Sequence, residues 1–89
     1  MTTARITLIG KPGCHLCDDA RDVVRGVVSE LAEQPGAPLL EVEERSILDD
    51  AALHERFVEE IPVVLINDRV HNYWRIDPVR LRSALLALR

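Results

Sequence analysis

The chain has 89 residues, of which 47% are hydrophobic and 29% are charged, so it has the profile of one small globular domain over residues 1–89 rather than of a disordered or fibrous protein. Its formal net charge of -4 leaves no excess of Lys and Arg for binding nucleic acid, and no apolar run approaches the ~20 residues that cross a membrane. We therefore expect a domain that binds neither nucleic acids nor membranes.

The first predicted elements are a strand and a long helix. Residues 5–9 (RITLI) are rich in β-branched side chains and end at a Gly-Lys-Pro-Gly loop, which is typical of a buried strand followed by a turn. From Cys14 onward apolar residues recur at the helical steps of three and four, at Leu16, Ala20, Val23, Val27 and Leu31. A Pro-Gly-Ala-Pro run then ends this helix near Gln34.

The middle of the chain predicts a second strand and a short helix. Residues 39–45 (LLEVEER) alternate apolar and acidic side chains at their centre, as a strand does. Asp49 or Asp50 can serve as the N-cap of the helix that follows. Leu53 and Phe57 lie at helical spacing and predict its buried face.

The last third of the chain predicts a hairpin and a helix. Residues 62–66 (PVVLI) form a strand with proline at its first position, where the missing N–H does least harm. After an Asn-Asp turn, residues 69–74 return as the antiparallel partner. Asp77 and Pro78 then supply the N-cap and the first residue of a final helix.

The predicted order is strand, helix, strand, helix, strand, strand, helix. A strand–helix–strand start implies a parallel pair with a right-handed crossover, and the closing hairpin adds antiparallel pairing. We therefore predict an α/β fold in which a four-stranded mixed sheet has its three helices on both faces (βαβαββα).

The chain has two cysteines, Cys14 and Cys17, which stand two residues apart at the predicted start of the first helix. Free N–H groups in a first helical turn stabilise a thiolate and lower its pKa, and Lys11 and a protonated His15 add positive charge. The two aspartates after Cys17 oppose this effect, so we expect a moderately lowered pKa for Cys14. Cys17, three residues further on, could then resolve a mixed disulfide on Cys14.

Two other interpretations of the cysteine pair stay open on the residues alone. Zinc usually takes four ligands and one C-x-x-C motif supplies two, so a metal site would need a dimer that shares two motifs. The thiols could also be buried and inert, because cysteine often behaves as a small hydrophobe. We expect His54 and His71 to be surface residues without a catalytic role.

The N-terminal segment has no charged stretch followed by a long apolar run, so we expect no secretory signal and a cytoplasmic protein. Structural disulfides are rare in that reducing compartment. This favours thiol chemistry or metal binding over a purely structural disulfide.

The chain resembles the small glutaredoxin-like proteins of bacteria, which belong to the thioredoxin-fold superfamily. The resemblance rests on TLIGKPGCHLCDDA after the first strand, LHERFVEEIPVV in the middle and WRID before the last helix. It implies that Cys14 is the nucleophile and Cys17 the resolving cysteine. The residues expected to support the pair are Lys11, Pro12, Gly13, His15 and Leu16.

The resemblance also implies a cis-proline at Pro62, which lies against the active-site disulfide and leaves the backbone of Ile61 free to pair with an extended substrate peptide or thiol. Glu59 and Glu60 are then expected near the rim of the site.

The chain departs from true glutaredoxins before the last helix. Those proteins use a glycine pair there to hold glutathione, whereas this chain has Tyr-Trp-Arg-Ile-Asp at residues 73–77 and no glycine. The usual mode of glutathione binding is therefore in question. We expect Asp77 to be a helix cap, Arg75 to be solvated, and Tyr73 and Trp74 to pack on the sheet.

These features predict a thiol–disulfide oxidoreductase that acts in cell redox homeostasis and electron transport on disulfides of proteins or small thiols. It would need neither a metal nor a tightly bound cofactor. Glutathione, another low-molecular-weight thiol or a reductase would restore the dithiol, and we expect the protein to be a monomer. The rival interpretations are a thioredoxin-like protein-binding module with idle thiols and a metal-bridged dimer.

Overall fold

A computed structural model describes residues 2–88 of the chain. Its elements occur in the predicted order, with boundaries that differ from the predicted ones by at most two residues. They are β1 (Thr3–Gly10), α1 (His15–Ala32), β2 (Leu39–Ser46), α2 (Ala51–Phe57), β3 (Val63–Ile66), β4 (Arg69–Tyr73) and α3 (Pro78–Leu86).

The four strands form one mixed sheet in the order β2-β1-β3-β4. β1 pairs with β2 in parallel, as the α1 crossover requires, and with β3 in antiparallel orientation. β3 and β4 form the predicted hairpin, with a register shift beside Val64 and Leu65. The predicted α/β architecture is therefore confirmed.

Alternation along β1 and β3 divides the core into two layers. Ile6 and Leu8 of β1 and Val64 of β3 pack under α1 and α3, while Ile9 of β1 and Val63 of β3 pack against α2 on the other face. Because the side-chain period of a strand is two, one sheet buries both of its faces where helices cover it. The larger layer contains Leu81 and Leu85 of α3, and the smaller one is built around Phe57.

Helix α1 buries a slightly different stripe from the one that the sequence predicted. Its buried residues are Cys17, Ala20, Val24, Val27 and Leu31. The expected first member of the stripe, Leu16, is instead 38% exposed. The helix ends at Ala32, two residues before the expected end, with Glu33 as its C-cap.

The two shorter helices begin at aspartate caps. The Asp50 carboxylate accepts from the N–H groups of Ala52 and Leu53. Asp77 does the same for the N–H groups of the second and third residues of α3, and Pro78 occupies its first position. Both caps satisfy N–H groups that have no partner within the helix. Asp50, rather than Asp49, is the cap of α2, and the capping role predicted for Asp77 is confirmed.

Within residues 2–88 the helices lack the combination of length and apolar character that a bilayer crossing demands.

Candidate active site

The cysteine pair lies where β1 ends and α1 begins. The connecting loop of Lys11, Pro12 and Gly13 is exposed. Gly13 has φ of 74°, a left-handed conformation that glycine adopts without steric cost. This turn leads the chain from the C-terminal end of β1 into the first turn of α1. It thereby places Cys14 at the N-terminus of α1.

Cys14 is the N-cap of α1, in an extended conformation with φ -106° and ψ 114°. The backbone N–H of Cys17 donates to Sγ of Cys14, with an N···S distance of 3.2 Å. The sulfur therefore takes the place that a Ser or Asp oxygen usually occupies in a helix cap. A negative charge on this sulfur is stabilised by the same N–H group and by the positive end of the helix.

The two cysteines differ sharply in exposure. Cys14 is partly exposed, whereas Cys17 is only 2% exposed and belongs to the buried face of α1. Their Cα atoms are 5.2 Å apart, and their sulfur atoms are joined in a disulfide. Only the first cysteine is thus presented to a partner, while the second lies within bonding reach beneath it.

Gly10, the last residue of β1, makes room for Cys17. A Cβ built on Gly10 would stand 2.9 Å from Sγ of Cys17, closer than real Cβ atoms come to another atom, and 3.1 Å from its Cβ. Sequence reasoning did not identify Gly10 as a site residue, although a glycine at the end of a strand can signal such a close approach.

The Ile61–Pro62 peptide bond is cis, as the resemblance implied. Pro62 is buried, and its carbonyl accepts the backbone N–H of Trp74 at 2.8 Å. The N–H of Ile61 donates to the carbonyl of Phe57 at 3.1 Å. The expectation that the backbone of Ile61 is free is therefore wrong for its N–H group.

Arg21 compensates one of the charges that we expected to oppose a thiolate. Its guanidinium contacts Asp18 at 2.9 Å and Glu44 on β2 at 2.7 Å. The hydrogen bonds that Arg21 donates to Asp18 and, second, to Glu44 raise the pKa of Arg21 above its usual value. The carboxylate of Asp18 therefore carries a paired charge beside the start of α1. The His15 side chain next to Cys14 is exposed.

A cleft of about 330 Å³ reaches the buried side of the pair. Its lining includes Cys17 and Arg21 of α1 and Glu44 and Arg45 of β2. The end of β1 and the loop residues Lys11 and Pro12 also line it. Charged groups of both signs thus face the resolving cysteine rather than the exposed one.

Trp74 does not pack on the sheet, contrary to the sequence expectation. It is 53% exposed and has φ of 63°, the left-handed region that side chains disfavour. Its Nε1–H donates to the carbonyl of Glu59 at 3.0 Å, and its ring meets that of Tyr73 edge-on at 5.2 Å. Tyr73 is also exposed. The indole therefore lies over the loop that carries Pro62.

The remaining candidates lie outside this arrangement. Arg75 is exposed, as expected, and so is His54. His71 is half-buried on β4, and its Nε2 atom is buried without a hydrogen-bond partner among the described residues, so the expectation of a surface histidine is wrong. Desolvation, and to a lesser extent the charge of Arg80, lowers the pKa of His71 below its usual 6.5.

Residues 2–88 contain no group of three or more His, Cys, Asp or Glu side chains placed to hold a metal ion together. The sulfur pair alone supplies two ligands, half of what a structural zinc site takes.

Comparison with known proteins gives a consistent result. The model of the family described as glutaredoxin-like domain (DUF836) matches residues 5–86. Three mycobacterial proteins described as uncharacterized are each 28% identical to the chain over 83 residues, which is 93% of this chain and 84% of theirs. They are Mb0520 of Mycobacterium bovis and MT0529 and Rv0508 of Mycobacterium tuberculosis.

Solved structures match over nearly the whole chain. The crystal structure of the protein XcR50 from X. campestris has a TM-score of 0.69 and 28% identity, covering 92% of this chain and 96% of that one. The solution structure of Ne2328 from Nitrosomonas europaea has a TM-score of 0.74 at 18% identity, covering 96% and 94%. The second match concerns the fold alone.

Proposed function

Because the chain belongs to the glutaredoxin-like domain family and has the thioredoxin-like fold, we propose that it is a thiol–disulfide oxidoreductase. The reacting couple is Cys14 and Cys17. A C-x-x-C pair in this family fits a redox role in general terms, and the geometry around the two sulfurs supports the specific chemistry.

The observation that carries the proposal is the hydrogen bond from the N–H of Cys17 to Sγ of Cys14. In the reduced protein this donor and the helix dipole favour the thiolate of Cys14 over its thiol. Lys11 in the preceding loop and His15, when protonated, add positive charge. Since Cys14 is the partly exposed member of the pair, it is the sulfur that meets a substrate.

The reaction proceeds in two exchanges. The thiolate of Cys14 attacks one sulfur of a substrate disulfide, forms a mixed disulfide and expels the other sulfur as a thiolate, which takes up a proton. Cys17 then loses its proton and attacks Sγ of Cys14, expelling the second substrate sulfur. Two electrons pass from the dithiol to the substrate, and the Cys14–Cys17 disulfide remains.

Substrate chains are proposed to lie along Ile61 and Pro62. The N–H of Ile61 is used within the protein, so its carbonyl is the group left to accept from an extended substrate. This fits disulfides of proteins as well as those of small thiols.

We propose no tightly bound cofactor. Reduction of the Cys14–Cys17 disulfide is assigned to a low-molecular-weight thiol such as glutathione or to a reductase, in a reducing compartment such as the cytoplasm. A glutathione site of the glycine-pair type has no counterpart here, because Tyr73 and Trp74 occupy the segment before α3.

The test is the reduction of insulin disulfides with dithiothreitol as the electron source. Wild-type protein should accelerate insulin precipitation over the reductant alone, and Cys14→Ser should abolish the acceleration. Val79→Ala, at an exposed position on α3, serves as the control. Equal rates with wild type and Cys14→Ser would contradict the proposal and favour a docking module with idle thiols. Metal content and solution mass of the reduced protein test the metal-bridged dimer.

A further inference from the structure

A second, smaller cleft opens beside the first turn of α1, which Cys14 caps. It has a volume of about 180 Å³, and it adjoins Leu16, the residue between His15 and Cys17. Its walls come from the start of α1 and from the segment between β4 and α3, namely Leu16, Asp19, Ala20, Val23, Trp74, Arg75 and Ile76. This cleft is separate from the one on the buried side of the pair, with which it shares no lining residue.

The position of the indole in this wall is fixed by two hydrogen bonds. The backbone N–H of Trp74 donates to the carbonyl of Pro62 at 2.8 Å, and its Nε1–H donates to the carbonyl of Glu59 at 3.0 Å. Its backbone lies in the left-handed region, which disfavours residues with a side chain. These contacts hold a large aromatic ring at the surface rather than in the core.

The cleft combines exposed apolar surface with one charge of each sign. Trp74 is 53% and Leu16 38% exposed, and Leu16 lies two residues after Cys14 in the first turn of α1. Asp19 and Arg75 are the charged residues of the lining, and neither forms an ion pair among residues 2–88. One carboxylate and one guanidinium leave the lining without net charge, so a neutral apolar occupant suits the cleft better than a charged one.

We propose that this cleft is a specificity subsite for an apolar side chain next to the reacting cysteine of a disulfide-bearing polypeptide. The inference rests on the proposed oxidoreductase function and names its preferred substrate class. An engineered apolar cavity of about 150 Å³ holds a benzene molecule, so the cleft has room for one Leu or Phe side chain. Trp74 and Leu16 contact that side chain.

The test compares two peptide disulfides that differ only in the residue next to cysteine, Leu in one and Ser in the other. Hydroxyethyl disulfide, which has no side chain to bind, measures exchange at the dithiol itself. Wild-type protein should show a kcat/KM for the Leu peptide about tenfold above that for the Ser peptide, the scale of discrimination by one apolar pocket. Trp74→Asn, which tolerates the left-handed backbone, should reduce this preference below about twofold.

Val79→Ala is the matched control, because Val79 is 60% exposed on α3 and outside the cleft, and it should keep the full preference. A wild-type protein that turns over hydroxyethyl disulfide but treats both peptides alike would overturn the subsite and leave the oxidoreductase proposal standing. Failure to turn over any of the three disulfides would overturn both. A preference that persists in Trp74→Asn would also overturn the subsite.

A direct readout is available because Trp74 is the single tryptophan of the chain. In a Cys17→Ser variant, each peptide can be trapped as a mixed disulfide on Cys14. The Leu adduct should shift the tryptophan emission maximum to the blue as the indole is covered, and the Ser adduct should leave it unchanged. Equal spectra for the two adducts would contradict contact between Trp74 and the substrate.

Discussion

Gly10 and Cys17 are in such close contact that a Cβ on Gly10 would stand 2.9 Å from the Cys17 sulfur. The backbone at the end of β1 thus packs directly against the side chain of Cys17, the resolving cysteine, in the first turn of α1. The absence of a side chain at Gly10 determines how deeply the second sulfur can sit.

Gly10→Ala should therefore displace Cys17 and destabilise the protein by about 1–3 kcal/mol, the usual cost of overpacking a core. The measurement is the free energy of urea unfolding of the reduced protein. Gly26→Ala is the matched control, because no atom lies within 4 Å of a Cβ there, and alanine in a helix interior should stabilise by about 0.5–1 kcal/mol. Equal changes in the free energy of unfolding for the two substitutions would show that Cys17 does not need the space left by the missing side chain of Gly10.

Arg21 should protect the reactivity of Cys14 by pairing with Asp18. In a Cys17→Ser background, Arg21→Gln leaves the Asp18 carboxylate uncompensated near the start of α1. Alkylation of Cys14 by iodoacetamide at neutral pH should then slow by about twofold at low ionic strength, and the difference should vanish in high salt. Arg25→Gln, at an exposed position of the same helix, should leave the rate unchanged. A slower rate in both variants would point to net charge rather than to this pair.

His71 should make stability depend on pH, because its folded pKa is lowered by burial and by Arg80. The folded protein then binds fewer protons than the unfolded one, so stability is full above about pH 6.5 and is lost as pH falls toward the folded pKa. Urea midpoints measured at about pH 7.5 and about pH 5.5 should differ less in His71→Leu than in wild type. His54→Gln, at an exposed histidine, should keep the wild-type difference.

Asp77 should act through the helix rather than through a ligand. Asp77→Ala removes the acceptor for the N–H groups of Val79 and Arg80 and should cost about 1 kcal/mol in the free energy of unfolding. Asp22→Ala, on the exposed side of α1, should change it by less than about 0.5 kcal/mol. An unchanged stability in Asp77→Ala would refute the capping role.

Periodicity predicted the elements and their order because the strands and helices of this chain each bury one regular face. It failed at Leu16 for a specific reason. The stripe through Leu16 and Ala20 and the stripe through Cys17 and Ala20 both fit helical spacing, and the choice between them depends on Cys17 behaving as a small hydrophobe. Once the helix begins at His15, the second stripe faces the sheet and Leu16 turns outward.

Tertiary contacts explain the other differences. A glycine at the end of a strand can signal a close approach, but the sequence does not show that Cys17 is the residue that approaches Gly10. The left-handed backbone of Trp74 is set by hydrogen bonds to Glu59 and Pro62, which lie more than ten residues earlier. The cis bond at Pro62 came from the resemblance, since few X-Pro bonds in folded proteins are cis.

The asymmetry between the two cysteines gives the last prediction. Reduced Cys17→Ser leaves Cys14 as the single thiol, capped by the N–H of residue 17, and its alkylation rate should reach half of its maximum below about pH 8.5, the value for free cysteine. Reduced Cys14→Ser leaves the thiol of Cys17, which is 2% exposed, and should react about tenfold or more slowly at neutral pH. When either variant is unfolded in urea, its alkylation rate should equal that of free cysteine. This control shows whether the folded structure, rather than neighbouring residues in the sequence, causes the difference in rate. A midpoint at or above about 8.5 in folded Cys17→Ser would refute thiolate stabilisation at the start of α1.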